Sequence, residues 1–309
     1  MKDAKLYNLT QETQAALYGA ALAARQKQGL PPFEPPLLLQ VRRGYAESPG
    51  WFLVQAAEFD PEALTVDKLR VRHVYANQRL MQALLELMAS EKWLDVVGDE
   101  YSLTAAGRAV IAATRERTRT LLADFTPLPR AEIERLESLL RRVIESSLNC
   151  PEPPKNWSLR YSRRRAPGSA APAVHKLFHH FSDLNAYRDD AHLAAFLPHR
   201  VAGYVWEAFA YVCAGTRTAE ALYDQLAYRG HARCEYAEAL HVLAARGWVH
   251  ATDGGYVPSE AGLTARQKVE QLTDDYFYAG WSCLGEAEFE ETAALLHKLK
   301  TACEALMAA

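Results

Sequence analysis

The sequence predicts a mainly α-helical protein in which one structural module occurs twice. Apolar residues recur at intervals of three and four over most of the chain, which is typical of amphipathic helices. In addition, residues 84–107 match residues 239–262 without a gap, so that Trp93 aligns with Trp248. Self-similarity of this length indicates two copies of one fold unit. We therefore expect a monomer that carries both halves of a symmetric assembly and acts as an internal dimer.

The composition is that of a globular protein with two or three domains. The chain has 309 residues, of which 49% are hydrophobic and 24% charged, and it has no apolar run of the roughly 20 residues that a membrane span needs. Its polar beginning predicts no signal peptide and a cytoplasmic protein. The five cysteines never form a CxxC pair, which favours reduced thiols over a disulfide framework or a zinc site. The formal net charge of −3 restricts any nucleic-acid contact to local basic patches.

Each copy contains the pattern of two helices followed by a β-hairpin. In the first copy, TVDKLRV predicts one helix, RHVYAN a tight turn, and RLMQALLELMASEKWL a second helix that Asn77 can cap. The segments Leu94–Val97 and Glu100–Leu103 then predict two strands joined by a two-residue turn. This order is that of a helix-turn-helix with a wing. The second copy repeats the order, with a wing at 251–256.

Long helices follow both wings and lead to a division into two lobes. A helix predicted from Arg130 to Leu148 carries an apolar stripe suited to pairing with another helix. The stripe consists of Ile133, Leu136, Leu140 and Val143. A linker rich in proline and arginine at 151–172 separates a lobe at 1–150 from a lobe at 173–309. We expect pseudo-twofold symmetry between the lobes through their N- and C-terminal helices.

The order of these motifs resembles the MarR family of bacterial transcription regulators. In the first copy the resemblance lies in the wing, in LTAAGRAV at the start of a long helix, and in ERLESLLRRVIESSL as a terminal helix. In the second copy it lies in ARGWVHATDGGYVPSEAG and the helices that follow. The resemblance implies two winged-helix lobes that bind double-stranded DNA with paired recognition helices. It also implies a small aromatic effector bound between the DNA-binding and dimerisation parts.

Basic and polar residues cluster around the turn and the start of the second helix in the first copy. Arg, Asn and Gln at the start of a recognition helix pair with base edges, and neighbouring Arg and Lys neutralise phosphates. The candidate DNA contacts are Lys68, Arg70, Arg72, His73, Tyr75, Asn77, Gln78 and Arg79. The alternative is a solvated helix face, and the acidic wing tips with Asp99, Glu100 and Asp253 favour it because they repel phosphate.

The second copy and the linker contain smaller basic groups. Arg229, His231 and Arg233 complete the candidate DNA contacts. The linker group consists of Arg160, Arg163, Arg164 and Arg165, with aromatic residues interleaved. Such an arm could follow a phosphate backbone. Because prolines surround it, we favour a solvated linker.

The segment HHFSDLNAYRDDAHL gathers histidines and aspartates that do not predict a metal site. In a helix these side chains lie on different faces, so one ion could not easily join them. We expect polar contacts instead, made by Arg188, Asp189, Asp190 and His192, with Thr273, Asp274 and Asp275 as partners. Motifs for phosphate-binding loops, serine hydrolases and zinc proteases do not occur, so we expect neither an enzyme, catalytic residues nor a cofactor.

Two functions of different classes are compatible with this sequence. The first is a DNA-binding transcriptional regulator that acts as a single-chain pseudo-dimer, modulated by a small ligand at the interface of the lobes. The second is a degenerate winged-helix module that binds a protein or a small ligand and no longer binds DNA. The basic cluster of the first copy favours the regulator, whereas the acidic wings and the negative net charge favour the module without DNA binding.

Overall fold

The structure of the protein is a computed structural model that describes residues 4–29, 53, 56–155 and 157–308. The prediction of a mainly helical fold with small antiparallel hairpins is confirmed. The helices are α1 (Ala4–Lys27), α2 (Val66–Arg72), α3 (Gln78–Ser90), α4 (Ala105–Ala123), α5 (Arg130–Asn149), α6 (Trp157–Arg163), α7 (Ala173–Phe196), α8 (Gly203–Cys213), α9 (Ala219–Leu226), α10 (Arg233–Ala245), α11 (Glu260–Ala279) and α12 (Glu286–Ala308). The strands are β1 (Leu94–Val97), β2 (Glu100–Leu103), β3 (Val249–Thr252) and β4 (Gly255–Pro258).

The chain divides into two compact units, and each unit combines segments from both halves of the sequence. The helical unit comprises the described parts of 1–34, 112–194 and 273–309, and the winged unit comprises those of 35–111 and 195–272. The lobes expected at 1–150 and 173–309 are each one continuous stretch of sequence, whereas each of these two units is made of separate stretches. Both helix-turn-helix segments and both hairpins therefore belong to the winged unit.

The helical unit has one hydrophobic core. Helix α1 packs against α12, and α5 packs against the short 3-10 helix Gly280–Cys283 that directly follows α11. The apolar stripe expected on α5 faces this core, since Leu136, Leu140 and Val143 have no exposed surface. Gly280 allows a close approach to α5, because a Cβ atom there would lie 2.1 Å from Ser147 Oγ. The core side chains of α5 and of this short helix thus determine how the two helices pack.

Part of the segment expected to be a linker forms a buried helix, α6. The backbone N–H groups of Ser158 and Leu159 in its first turn donate to the carboxylate of Asp190, at 2.8 and 2.9 Å. The side chains of Ser158, Leu159 and Ser162 are buried. The carboxylate that caps α6 comes from α7, a different helix, so the local sequence of 151–172 carries no sign of it.

Asp183 on α7 forms the polar centre of this region. Its buried carboxylate accepts hydrogen bonds from Ser162 Oγ and Arg163 Nη1, both at 2.8 Å. The Nε2 atom of His179 lies 3.3 Å from the same carboxylate, and His180 Nδ1 lies 3.7 Å away. Burial alone would raise the pKa of Asp183, but these neighbours hold that pKa well below its usual range. Asp183 is therefore an ionised group that joins α6 to α7.

In the winged unit the two helix-turn-helix segments share local contacts at matching positions. A Cβ atom on Gly107 would lie 2.3 Å from the carbonyl oxygen of Trp93, and one on Gly262 would lie 2.1 Å from that of Trp248. The hairpins are two-stranded, with Val97 paired to Glu100 at one tip. Only glycine fits these close approaches of helix to hairpin, which explains why both copies have it.

Both helices of the first helix-turn-helix segment have side-chain caps, and the cap predicted at Asn77 is confirmed. Thr65 precedes α2, and its side chain accepts a hydrogen bond from the backbone N–H of Lys68 at 3.2 Å. Asn77 precedes α3, and its side-chain oxygen accepts one from the backbone N–H of Arg79 at 2.8 Å. Each cap satisfies an amide that the first helical turn leaves unpaired, and so fixes where the helix begins.

We expect the substitution Asp183→Asn to destabilise the protein by about 3 kcal/mol, because Arg163 and two histidines lose a buried anionic partner. The matched control is Glu134→Gln, whose ion pair with Arg130 has side chains that are 49% and 88% exposed. Exposed pairs of this kind contribute at most about 1 kcal/mol. Urea denaturation at neutral pH, where Asp183 is ionised, measures both variants. Equal unfolding midpoints would contradict the role assigned to Asp183.

Candidate nucleic-acid interface

The second helices of the two helix-turn-helix segments, α3 and α10, begin at the same point. The Nδ2 atom of Asn77, the cap of α3, lies 3.2 and 3.3 Å from the two carboxylate oxygens of Glu235 in the first turn of α10. The backbone N–H of Asn77 donates to the carbonyl oxygen of Arg229 at 2.8 Å. His231 Nε2 lies 3.0 Å from the carbonyl oxygen of Tyr75. We call the contacts among Asn77, His231 and Glu235 the helix junction.

Glu235 supplies the negative charge of the helix junction. Its carboxylate accepts a hydrogen bond from the backbone N–H of Ala232 at 2.8 Å, which caps α10. His231 Nδ1 lies 3.2 Å from the same carboxylate. Burial raises the pKa of Glu235, but the Ala232 N–H, His231 and Arg79 outweigh burial and lower it overall. Glu235 is therefore ionised at neutral pH.

His231 lies inside the winged unit. Only 7% of its surface is exposed, and its ring stacks on Tyr204 with ring centroids 4.5 Å apart. Tyr236 packs edge-on against the same ring at 5.9 Å. His231 is thus packed between aromatic rings, and both of its nitrogens lie within hydrogen-bond distance of groups in the unit.

Two of the arginines assigned to DNA also serve inside the winged unit. Arg72 pairs with the buried Glu58 at 3.3 Å. Arg229 forms a two-point contact with Glu207, through Nε at 3.0 Å and Nη2 at 2.6 Å. Burial raises the pKa of Glu207, against the opposing effect of Arg229. Arg72 and Arg229 thus neutralise buried carboxylates within the winged unit.

His73 and Tyr75, two further predicted DNA contacts, pack inside the winged unit. His73 is 5% exposed, and burial, together with Arg72 and Arg229, lowers its pKa to about 3. It is therefore a neutral interior residue at physiological pH. Tyr75 is half-buried, and its ring stacks against Phe196 at 6.2 Å.

Four of the predicted DNA-binding residues are exposed, and we call them the exposed edge. They are Arg70, Gln78, Arg79 and Arg233. Gln78 and Arg79 occupy the first turn of α3, and Arg233 is the first residue of α10. Arg70 lies 3.5 Å from Asp67, a pair that is 57% and 83% exposed and hence weak. Lys68 is half-buried and its Nζ donates to the carbonyl oxygen of Ala63.

A groove of about 1080 Å³ runs beside the exposed edge, within the winged unit. Its walls include Arg70, Arg79 and Glu86 on one side and Leu197, Tyr204 and Glu235 on the other. At the wing tips Asp99, Glu100 and Asp253 are exposed, and the guanidinium of Arg217 lies beside Gly254 of the second hairpin. The exposed edge places three arginines, Arg70, Arg79 and Arg233, at the surface, where they could meet phosphate.

The basic group of the expected linker is mostly engaged in the helical unit. Arg163 pairs with Asp183 at 2.8 Å, and Arg160 Nη2 donates to the carbonyl oxygen of Leu148 at 3.2 Å. The guanidinium of Arg164 lies 4.9 Å from the centre of the Tyr161 ring. The sequence did not show Asp183 as the partner of Arg163, because the two residues are 20 positions apart and only folding brings them close.

The polar segment on α7 behaves as expected. Arg188 Nη1 donates to Asp274 at 2.7 Å, and His192 Nδ1 lies 3.2 Å from Thr273 Oγ1. Among the described residues, no three His, Cys, Asp or Glu side chains are arranged to hold a metal ion. Likewise, in the described part of the chain no helix is both long and apolar enough to cross a bilayer.

Comparison with known proteins identifies a helix-turn-helix region. Residues 157–308 match the model of a helix-turn-helix family, a range that includes α9, α10 and the second hairpin. No curated protein and no solved structure matches the chain. The match supports a helix-turn-helix domain in residues 157–308.

The buried His73 predicts a specific acid sensitivity. Its folded-state pKa of about 3 lies below the unfolded value of 6.5, so the unfolded state binds a proton first as the pH falls. The contribution of His73 to the free energy of unfolding is fully present above about pH 6.5. It should fall by about 2 kcal/mol between pH 6.5 and 5.

The substitution His73→Gln should make this pH dependence shallower, because Gln does not titrate. His241→Gln is the control, since His241 is exposed on α10. Urea midpoints at several pH values between neutrality and pH 5 provide the measurement. The assignment is contradicted if the His73→Gln and His241→Gln proteins have the same slope.

Proposed function

We propose that the protein is a cytoplasmic, non-enzymatic DNA-binding transcriptional regulator that contacts double-stranded DNA through the exposed edge of the winged unit. The helix-turn-helix family match supports the class of function. The observation that carries the site is the position of Gln78 and Arg79, which are exposed in the first turn of α3 directly after its cap. Side chains at this end of a recognition helix reach base edges in the major groove.

The four residues of the exposed edge have two roles. Gln78 and Arg79 are the candidates for base contacts, since Gln pairs with adenine and Arg with guanine. Arg70 and Arg233 lie on neighbouring helices and are suited to phosphate. This division explains how a chain of net charge −3 can bind DNA, because the cations that matter are local.

The finer part of the proposal is a MarR-like tandem duplication, with lobes at 1–150 and 173–309 forming an internal pseudo-dimer by their packing, whatever the number of lobes that contact DNA. The matching contacts of Gly107 and Gly262 with the preceding tryptophan carbonyl groups support the duplication. A small aromatic effector belongs to the same proposal. The groove beside Tyr204 and Arg79 has the volume and the mixed apolar and charged walls for such a ligand.

A second candidate function is a winged-helix module that binds a protein or small ligand without DNA. It is favoured by the acidic wing tips and by Val97 beside them, whose apolar side chain is 79% exposed. A measurement of DNA affinity separates the two candidates, because only the regulator binds DNA.

The substitution Arg79→Ala should weaken DNA binding by about 1–3 kcal/mol and reduce its salt dependence, because a base or phosphate contact is lost. The control Arg130→Ala removes an arginine that is 88% exposed in the helical unit and should leave the affinity unchanged. Arg72→Ala should instead lower the melting temperature, since Glu58 then lacks its buried partner.

Fluorescence anisotropy with duplexes selected from a random pool measures Arg79→Ala and Arg130→Ala beside the unmodified protein, and thermal denaturation measures Arg72→Ala. If the unmodified protein binds no DNA even at low salt, the proposal is wrong and the second candidate is favoured. If Arg130→Ala weakens binding as much as Arg79→Ala does, the contacts lie elsewhere on the chain.

A further inference from the structure

The helix junction sets an upper limit on the separation between the two recognition helices. Asn77 Nδ2 is three bonds from its Cα, and each Glu235 carboxylate oxygen is four bonds from its own. The two atoms are 3.2 Å apart, so at about 1.5 Å per bond the two Cα atoms are at most about 14 Å apart. Asn77 caps α3 and Glu235 lies in the first turn of α10, so this limit applies to the beginnings of both helices.

This separation excludes the DNA geometry of a symmetric dimer. Paired recognition helices that enter successive major grooves on one face of DNA lie about 34 Å apart. One major groove is about 12 Å wide, whereas a helix with its side chains has a diameter of about 10–12 Å. Helices that begin within 14 Å of each other therefore cannot occupy two successive grooves, and one groove admits only one of them.

Close packing around the helix junction opposes separation of α3 and α10. Gly230 in the second module, with a φ of +77°, packs so closely on α3 of the first module that a Cβ atom there would lie 2.8 Å from Leu80 Cβ. Gly203 packs in the same way, because its Cβ atom would lie 2.2 Å from the carbonyl oxygen of Val74. Separating the helices would break these contacts together with the hydrogen bonds of Asn77 and His231.

The two helices differ in what they offer to DNA. The first turn of α3 has no acidic residue and exposes Gln78 and Arg79. The first turn of α10 contains Glu235, and Glu238 is exposed one turn further along. Acidic groups repel the phosphates that line a groove. Of the two, α3 is thus the helix suited to enter the major groove.

We propose that one chain binds a single asymmetric DNA segment, with α3 in one major groove and α10 outside it, where Arg233 contacts the flanking phosphate backbone. This inference rests on the proposed DNA-binding function and defines its partner more narrowly. The preferred DNA site of one chain contains no inverted repeat, although the protein sequence contains a repeat. The second helix-turn-helix segment holds α3 in position through the helix junction and adds affinity that is independent of base sequence.

The test begins with DNA selected from a random pool by the full-length protein. Affinity is then measured for the selected duplex, for an inverted repeat of it with centres about 10 base pairs apart, and for that repeat with one half scrambled. We expect the three affinities to agree within about twofold, with one chain bound per intact half. An internal dimer that engages both halves would lose about 10²-fold or more on scrambling, and such a loss overturns the inference.

Two variants test the roles of the helices in the same assay. Arg79→Ala should change base preference at one position of the site, whereas Arg233→Ala should weaken all sequences equally and reduce the salt slope by about one. A change of base preference in the Arg233→Ala protein would overturn the inference, because α10 would then contact bases.

The outcomes separate this inference from the function on which it rests. Absence of DNA binding at low salt overturns both. Binding that depends on two halves of an inverted repeat overturns only the single-segment inference and leaves the regulator function in place.

Discussion

The winged unit depends on one carboxylate, that of Glu235, placed where two helices begin. The N-terminus of each helix carries partial positive charge from its unpaired amides, so two such ends repel each other when they are brought together. Glu235 lies between them, accepts a hydrogen bond from Ala232 in its own helix and contacts Asn77 at the start of the other. His231 completes the contact through the Tyr75 carbonyl group. The negative charge of Glu235 thus offsets the repulsion between the two positive helix ends and holds them together at the junction.

The junction explains how the cations of the unit are divided. Around it, Arg72 and Arg229 are buried beside Glu58 and Glu207, where an unpaired carboxylate would be costly. These arginines stabilise the packing and are not available to a ligand. Arg70, Arg79 and Arg233 remain at the surface. A repeat in the sequence thus produced two modules with unequal roles, because the surfaces near their recognition helices carry different charges.

The sequence was most informative where structure is determined locally. The cap Asn77, the strands of the first hairpin and the stripe of α5 follow from residue types at short spacing, and all were predicted. The burial of Arg72 and Arg229 could not be predicted, because Glu58 and Glu207 are distant along the chain and nothing local marks them as partners. Helix α6 was missed for the same reason, since its cap Asp190 lies on α7. Arg72 and Arg229, predicted from their positions to contact DNA, are instead ion-paired inside the winged unit with carboxylates from other parts of the chain.

The most direct test of this account is the distance between α3 and α10 in the presence of DNA. Spin labels at Cys234 and at an Ala83→Cys substitution, both exposed beside the groove, report it by pulsed electron resonance after Cys150, Cys213 and Cys283 are replaced by serine. The account predicts the same distance distribution with and without DNA, because the helix junction stays closed. A shift on DNA binding toward the separation of about 34 Å that paired recognition helices require would contradict it.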